Sequence, residues 1–235
     1  MKVFIGTDKR QPIAYTVCRS SIERHAKKRV EVEPINLDWL PIKRRGLTDF
    51  TFARYMVPWL CGYRGVALFM DADMMARADV NELEEIADPR MAVSVVQGKL
   101  RFEWPSLMLF RCDNLACVSL TPEYVGHEVT KPQTFEWCPK DRLGELPAAW
   151  NHCVGYDVPN PDAKVVHFTA GIPCFPETNE CEFAEEWAAE FKRSCSTVPW
   201  VELMGQSVHV PMVAAGGLKR RKPDGNDRGL QAAAV

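Results

Sequence analysis

Val66-Ala67-Leu68-Phe69-Met70 runs without a polar residue from Gly65 into Asp71-Ala72-Asp73. Five apolar residues closed by a carboxylate fit a strand buried on both faces, in the middle of a mostly parallel sheet. Elements alternate on either side of it. Val3-Phe4-Ile5, closed by Gly6-Thr7-Asp8, reads as a short first strand. Over residues 11–24, Ile13, Ala14, Val17, Ser21 and Ile22 share a helical face. Residues 30–35 alternate apolar and polar, with Pro34 placing that strand at an edge or near its end. Residues 52–61 read as a helix that Pro58 ends or kinks. A short helix over 81–86 and strands over 91–96, 107–110 and 163–168 follow. An amphipathic helix over 182–193 carries Phe183, Trp187, Ala188 and Phe191 on its apolar side. This order predicts one α/β domain over residues 1–205, with a mostly parallel central sheet and helices on both faces. Ligands of such sheets bind beyond the carboxyl ends of the strands. Thr7-Asp8 and Asp71-Ala72-Asp73 both fall at that end.

Composition narrows the function. A formal net charge of −2 argues against a nucleic-acid surface, which carries a marked basic excess. The apolar start around Val3-Phe4-Ile5 is too short for a signal peptide, and no run of eighteen apolar residues suggests a membrane span, so a cytoplasmic protein is expected. The nine cysteines include no CxxC pair, which points to reduced, mostly buried thiols rather than to zinc or disulfides. Residues 206–235 change in character: a Gly/Ala-rich stretch leads into Lys219-Arg220-Arg221-Lys222 and an Ala-rich end. A flexible or loosely packed tail is expected there, its basic cluster solvated or in weak contact with a membrane or glycan.

Two segments carry chemistry. The carboxylates of Asp71 and Asp73, two residues apart, point the same way if strand geometry persists, and unpaired they repel. A divalent cation removes that repulsion and gives the pairing a reason. Asp-x-Asp is common in solvated turns, so its position directly after a buried strand is what gives it weight. Val165-Val166-His167 ends another apolar strand. In isolation such a histidine is more often a satisfied core residue. Beside paired aspartates, a neutral imidazole completes a mixed oxygen and nitrogen set that suits Mn²⁺ and disfavours Ca²⁺. Gly171, four residues on, would let backbone N–H groups approach phosphate oxygens.

Five blocks occur in order: Phe4-Ile5-Gly6-Thr7-Asp8, Phe52-Ala53-Arg54-Tyr55 through Pro58, Leu68-Phe69-Met70-Asp71-Ala72-Asp73, Leu146-Pro147-Ala148-Ala149-Trp150-Asn151 and His167-Phe168-Thr169-Ala170-Gly171. Together they resemble glycosyltransferase family 8 and its GT-A-fold relatives over residues 2–190. The resemblance implies a single GT-A-type domain that moves a hexose from a UDP-sugar to an acceptor hydroxyl with retention, using Mn²⁺ or Mg²⁺. Asp71, Asp73 and His167 would hold the metal, with Ala72 and Gly171 beside the donor. Thr7 and Asp8 would lie against the nucleoside, and Arg54 would reach the donor sugar or diphosphate. Trp150 and Asn151 look structural, shaping the acceptor side.

Two departures stand out. The family follows its histidine with Gly and then Lys-Pro-Trp, whereas here the chain reads Gly171-Ile172-Pro173-Cys174-Phe175, leaving Arg54 or Lys164 as substitute cations. Its usual Asn-x-Gly segment reads Phe102-Glu103-Trp104-Pro105-Ser106, making Glu103 a candidate carboxylate near the anomeric centre. Two other readings stay open: a non-catalytic nucleotide-sugar or glycan-binding module of the same fold, and a nucleotidyltransferase. The second lacks a good basic phosphate loop, since Gly6-Thr7-Asp8-Lys9-Arg10 is a poor version of one.

Overall fold

The computed structural model describes residues 1–98 and 100–195. The expected 206–235 tail, with Lys219, Arg220, Arg221 and Lys222, lies outside the described residues.

Strand β1 (Lys2–Gly6) leads into helix α1 (Pro12–His25) and strand β2 (Glu31–Ile35). A 3₁₀ turn at Ala53–Met56 runs into α2 (Val57–Leu60). Pro58 sits in the first turn of α2, where a missing N–H costs nothing, so it starts that helix rather than ending it. Then come β3 (Val66–Asp71), β4 (Met74–Ala76), α3 (Glu82–Ile86), β5 (Val93–Val95) and β6 (Leu107–Arg111). The chain finishes through α4 (Leu115–Val118), α5 (Pro122–Gly126), β7 (Leu143–Glu145), β8 (His152–Cys153), β9 (Val165–His167) and α6 (Ala184–Cys195).

Two sheets form. The larger has the order β2-β1-β3-β6-β5-β7 and the smaller β4-β9-β8. In the larger sheet β1 pairs parallel with both β2 and β3, and β5 pairs parallel with β7. β6 runs antiparallel to both neighbours. The sheet is therefore mixed, with three parallel pairings and two antiparallel. β2, with its proline, is an edge strand, as its sequence suggests.

Alternation explains why the central strands read as unbroken apolar runs. Val3, Ile5, Leu68, Met70, Leu107 and Leu109 face one core, shared with α1, α6 and the small sheet. Phe4, Ala67, Phe69, Met108 and Phe110 face the other, under Phe50, Tyr55, Phe135 and Trp137. On α6 the buried positions are Ala184, Trp187, Glu190 and Ser194, and Phe191 stacks on Trp187 at 5.7 Å between centroids. Ala188, expected on the apolar side, is exposed. Glu190 takes the buried row because Arg24 and Ser20 of α1 reach it at 2.7 and 2.5 Å.

All nine cysteines are free, five of them buried. Among the described residues no helix is long and apolar enough to cross a membrane.

Candidate metal and donor site

Gly6 pairs in register with Asp71, so β1 and β3 deliver Thr7-Asp8 and Asp71 to the same sheet edge. A side chain at position 6 would collide with the Phe50 ring, at 2.5 Å from an added Cβ, so glycine lets the 37–52 loop close over this edge. After Asp71 the strand does not continue. The chain turns at Ala72-Asp73 and enters β4 of the small sheet. There Met74 pairs with His167, and the Phe168 N–H donates to the Asp73 carbonyl at 3.0 Å. Asp73 and His167 are therefore neighbours by register, with His167 Nε2 3.3 Å from Asp73 Oδ1. One ligand atom from each of Asp71, Asp73 and His167 falls within 4.8 Å of the others. The carboxylates converge through a turn and a change of sheet, not through the strand alternation expected from the sequence.

The donor set fits a single divalent cation. Asp71 Oδ1 and Asp73 Oδ1 are buried and accept no hydrogen bond among the described residues. Buried carboxylate oxygens left without donors are costly, and a cation would satisfy both. Arg54 is the nearest positive group. Its Nη2 sits 3.1 Å from Asp71 Oδ1 but aims its N–H at Oδ2, 3.4 Å away. The guanidinium lies buried near the faces of Phe50 and Phe69. Burial pushes the Asp71 carboxyl up to about 7; Arg54 pulls it down and Asp73 raises it further. Burial lowers the His167 imidazole, but the Asp73 and Asp71 carboxylates and Cys153 lift it well above its usual value. Without a cation the cluster tends to hold extra protons.

Behind the ring, His167 Nδ1 lies 3.1 Å from Asn151 Oδ1 and 3.7 Å from Glu103 Oε2. Glu103, buried in a 3₁₀ turn over Arg101–Ser106, accepts the Ser106 hydroxyl at 2.7 Å. It shares the wall of a cavity of about 220 Å³ with Asn151, His152, Asp157 and Asn160, and Val96, Leu100 and Val158 add aliphatic lining. His152, itself buried, pairs with Glu182 at 2.8 Å.

The structure gathers Asp71, Asp73 and His167 around one point, with Arg54 against Asp71 and Glu103 behind the His167 ring. Other candidates have prior engagements. The Thr7 hydroxyl donates to the Ile35 carbonyl at 3.3 Å. Arg10 grips both oxygens of Asp8, at 2.9 and 2.5 Å, and holds its carboxyl below the usual range. The Ala72 side chain is part of the core, leaving only its backbone to a ligand. Gly171 has a positive φ of 128°, and its N–H donates to Phe168 O at 2.8 Å. Lys164 pairs with Glu82 at 2.6 Å above the Trp150 ring, and Arg54 with Asp71, so both candidate substitutes for the missing lysine are engaged.

Sequence reasoning passed over the contact of Asn151 with His167 and the buried hydroxyls of Tyr55 and Thr169, which find no hydrogen-bond partner among the described residues. The Trp-Asn block was visible; its register against β9 was not.

No family model matches the chain. Protein CDI of Arabidopsis thaliana is 30% identical over 222 residues, covering 81% of this chain and 86% of that protein. Solved structures that share the fold include three glycosyltransferases. The WbbM bifunctional glycosyltransferase aligns with a TM-score of 0.64 at 16% identity, over 85% of this chain and 50% of its own. The galactosyltransferase LgtC, in complex with donor and acceptor sugar analogues, aligns at 0.61 and 12%, over 85% and 98%. GlyE of Streptococcus pneumoniae aligns at 0.59 and 15%, over 86% and 62%. The chain thus spans half of WbbM and nearly all of LgtC. The architecture is the GT-A-like fold expected from the order of its sequence blocks.

Proposed function

Because this chain belongs to the family of Protein CDI of Arabidopsis thaliana and has a GT-A-like glycosyltransferase fold, we propose that it moves a hexose from a UDP-sugar to an acceptor hydroxyl, with retention of configuration. The observation that carries this reading is the pair of orphaned carboxylate oxygens, Asp71 Oδ1 and Asp73 Oδ1, facing His167 at the ligand-binding edge of the sheet. Those three residues would hold Mn²⁺ or Mg²⁺, which when bound supplies Lewis-acid stabilisation of charge on the leaving nucleoside diphosphate.

The protein's own residues supply orientation. Arg54 fixes Asp71 and opposes its protonation. Asp8 reads the base or ribose once Arg10 releases it. The cavity beside Glu103 receives sugar. Its described lining has carboxylates and amides but no lysine or arginine, which suits hydroxyl groups and disfavours phosphate. The donor and acceptor sugar analogues named for LgtC support a sugar on both sides of the reaction; galactose and glucose lead as the transferred unit.

A thermal-shift series with UDP, GDP and CDP, with and without Mn²⁺, tests the donor. UDP with Mn²⁺ is expected to stabilise most, by about 2.7 kcal/mol at a hundred times its dissociation constant. Equal shifts for the three bases would remove Asp8 from base recognition. Asp73→Asn keeps shape while removing charge, so turnover is expected to drop by several orders of magnitude in a folded protein. A second reading, a binding module without turnover, is favoured by the engagement of Arg54 with Asp71 and of Lys164 with Glu82. It predicts donor-dependent stabilisation with no release of UDP.

A further inference from the structure

The small sheet supplies more than ligands. Asp73 directly precedes β4, His167 lies in β9, and Asn151 directly precedes β8. The pairing of Cys153 with His167 brings Asn151 alongside the imidazole, at the end of the 3₁₀ turn Ala148–Trp150. Asn151 is buried, and both ends of its amide are used. Nδ2 donates to the Glu103 backbone carbonyl at 3.3 Å, and Oδ1 lies 3.1 Å from His167 Nδ1. A carbonyl only accepts, so the amide nitrogen must face Glu103 and the amide oxygen must face the ring. An amide oxygen also only accepts. Asp73 Oδ1, 3.3 Å from Nε2, is a competing acceptor on the other side of the ring. Once a cation takes that carboxylate, the proton of a neutral His167 belongs on Nδ1 and the lone pair on Nε2. Glu103 Oε2, 3.7 Å from Nδ1, favours the same arrangement.

We propose that Asn151 is a positioning residue that sets the ring tautomer of His167 and aims its Nε2 lone pair at the point shared with Asp71 and Asp73, an inference that rests on the metal reading of that site. Asn151 also lines the cavity beside Glu103, but its amide atoms are committed to His167 and to the Glu103 backbone, so it is not itself a ligand of the cation. It acts through the histidine, as outer-shell partners of metal-bound imidazoles do, and loss of such a partner lowers metal affinity by about 10- to 100-fold.

The test compares Asn151→Leu, which keeps bulk and removes the acceptor, with Asn151→Asp, which keeps an acceptor at the same place. Mn²⁺ is titrated into metal-free protein and the free ion followed by electron paramagnetic resonance. Asn151→Leu is expected to weaken binding by about 10- to 100-fold, and Asn151→Asp to stay within about threefold of the parent or bind more tightly. Equal weakening in both variants, or parental affinity in Asn151→Leu, overturns the proposal.

A second readout covers a variant that fails to fold and separates this inference from the metal reading. Long-range ¹H–¹⁵N spectra at alkaline pH, of the parent saturated with Mg²⁺ and of metal-free Asp73→Ala, which lacks the competing acceptor, report which ring nitrogen of His167 carries the proton. A proton on Nδ1 is expected in both. A proton on Nε2 in Asp73→Ala overturns the role of Asn151 whether or not a cation binds. A proton on Nδ1 in Asp73→Ala, with a parent that takes up no divalent cation, removes the metal reading alone.

Discussion

Arg54 faces inward to Asp71, with Nη2 3.1 Å from Oδ1 and both side chains almost wholly buried. The arginine that the family resemblance aims at the donor is thus first a counter-charge for a proposed metal ligand. Arg54→Met removes it while keeping much of the apolar stem. A buried carboxylate that loses its partner costs about 3–5 kcal/mol. The expected result is a lower urea midpoint in metal-free protein, partly recovered by Mn²⁺. An unchanged midpoint would show that the pair contributes nothing to stability.

The same cluster sets a pH dependence. Asp71 rises from an ordinary 3.8 to about 7 on folding. A carboxyl raised in this way stabilises the metal-free fold fully below about pH 4 and loses that contribution as pH rises through 7. The proposed cation would need the ionised form, so it would compete with the proton below 7. Metal-free protein is expected to lose melting temperature between pH 4 and 7, and the shift produced by Mn²⁺ to be larger at pH 8 than at pH 5.5. A cation shift independent of pH would contradict a site built on Asp71.

Glu190 behaves in the opposite sense. Burial raises its carboxyl, but Ser20 and Arg24 outweigh that and hold it below 4.5. Its contribution is present above pH 4.5 and is lost as pH falls through the folded value. Glu190→Ala removes charged hydrogen bonds to α1 and is expected to cost about 2 kcal/mol at pH 7. The difference from the parent should narrow in acid, as urea unfolding at pH 7 and pH 3.5 would show.

Arg10 occupies the carboxylate assigned to the nucleoside, gripping Asp8 through Nε and Nη2. If Asp8 reads the base or ribose, Arg10→Ala frees it and is expected to tighten UDP binding several-fold by calorimetry. Weaker binding would instead make Arg10 a direct contact to the nucleotide.

The central strands, the edge position of Pro34 and the carboxylate that closes β3 were legible because burial on two faces leaves a composition signal at each position. The direction of β6 was not, since an apolar run such as Leu107-Met108-Leu109-Phe110 looks the same parallel or antiparallel. Asp71, Asp73 and His167 could be named as a set, but how they meet could not. Their meeting depends on a turn at Ala72-Asp73 and on the pairing of Met74 with His167, ninety-three positions apart. Glu190 was hidden for a similar reason. A glutamate in an amphipathic helix reads as solvated until its partners on a distant helix are known.

Asp71 ends a strand of the large sheet, while Asp73 leads into the small sheet and His167 lies within it. Their separation is therefore governed by how two independently hydrogen-bonded layers rest on each other. If the proposed cation binds there, substitutions in the packing between those layers, such as at Met70, Met74 or Val166, would detune its affinity without replacing a ligand. Seen mechanically, such an ion would be a rivet between plates, its tightness a gauge of their alignment.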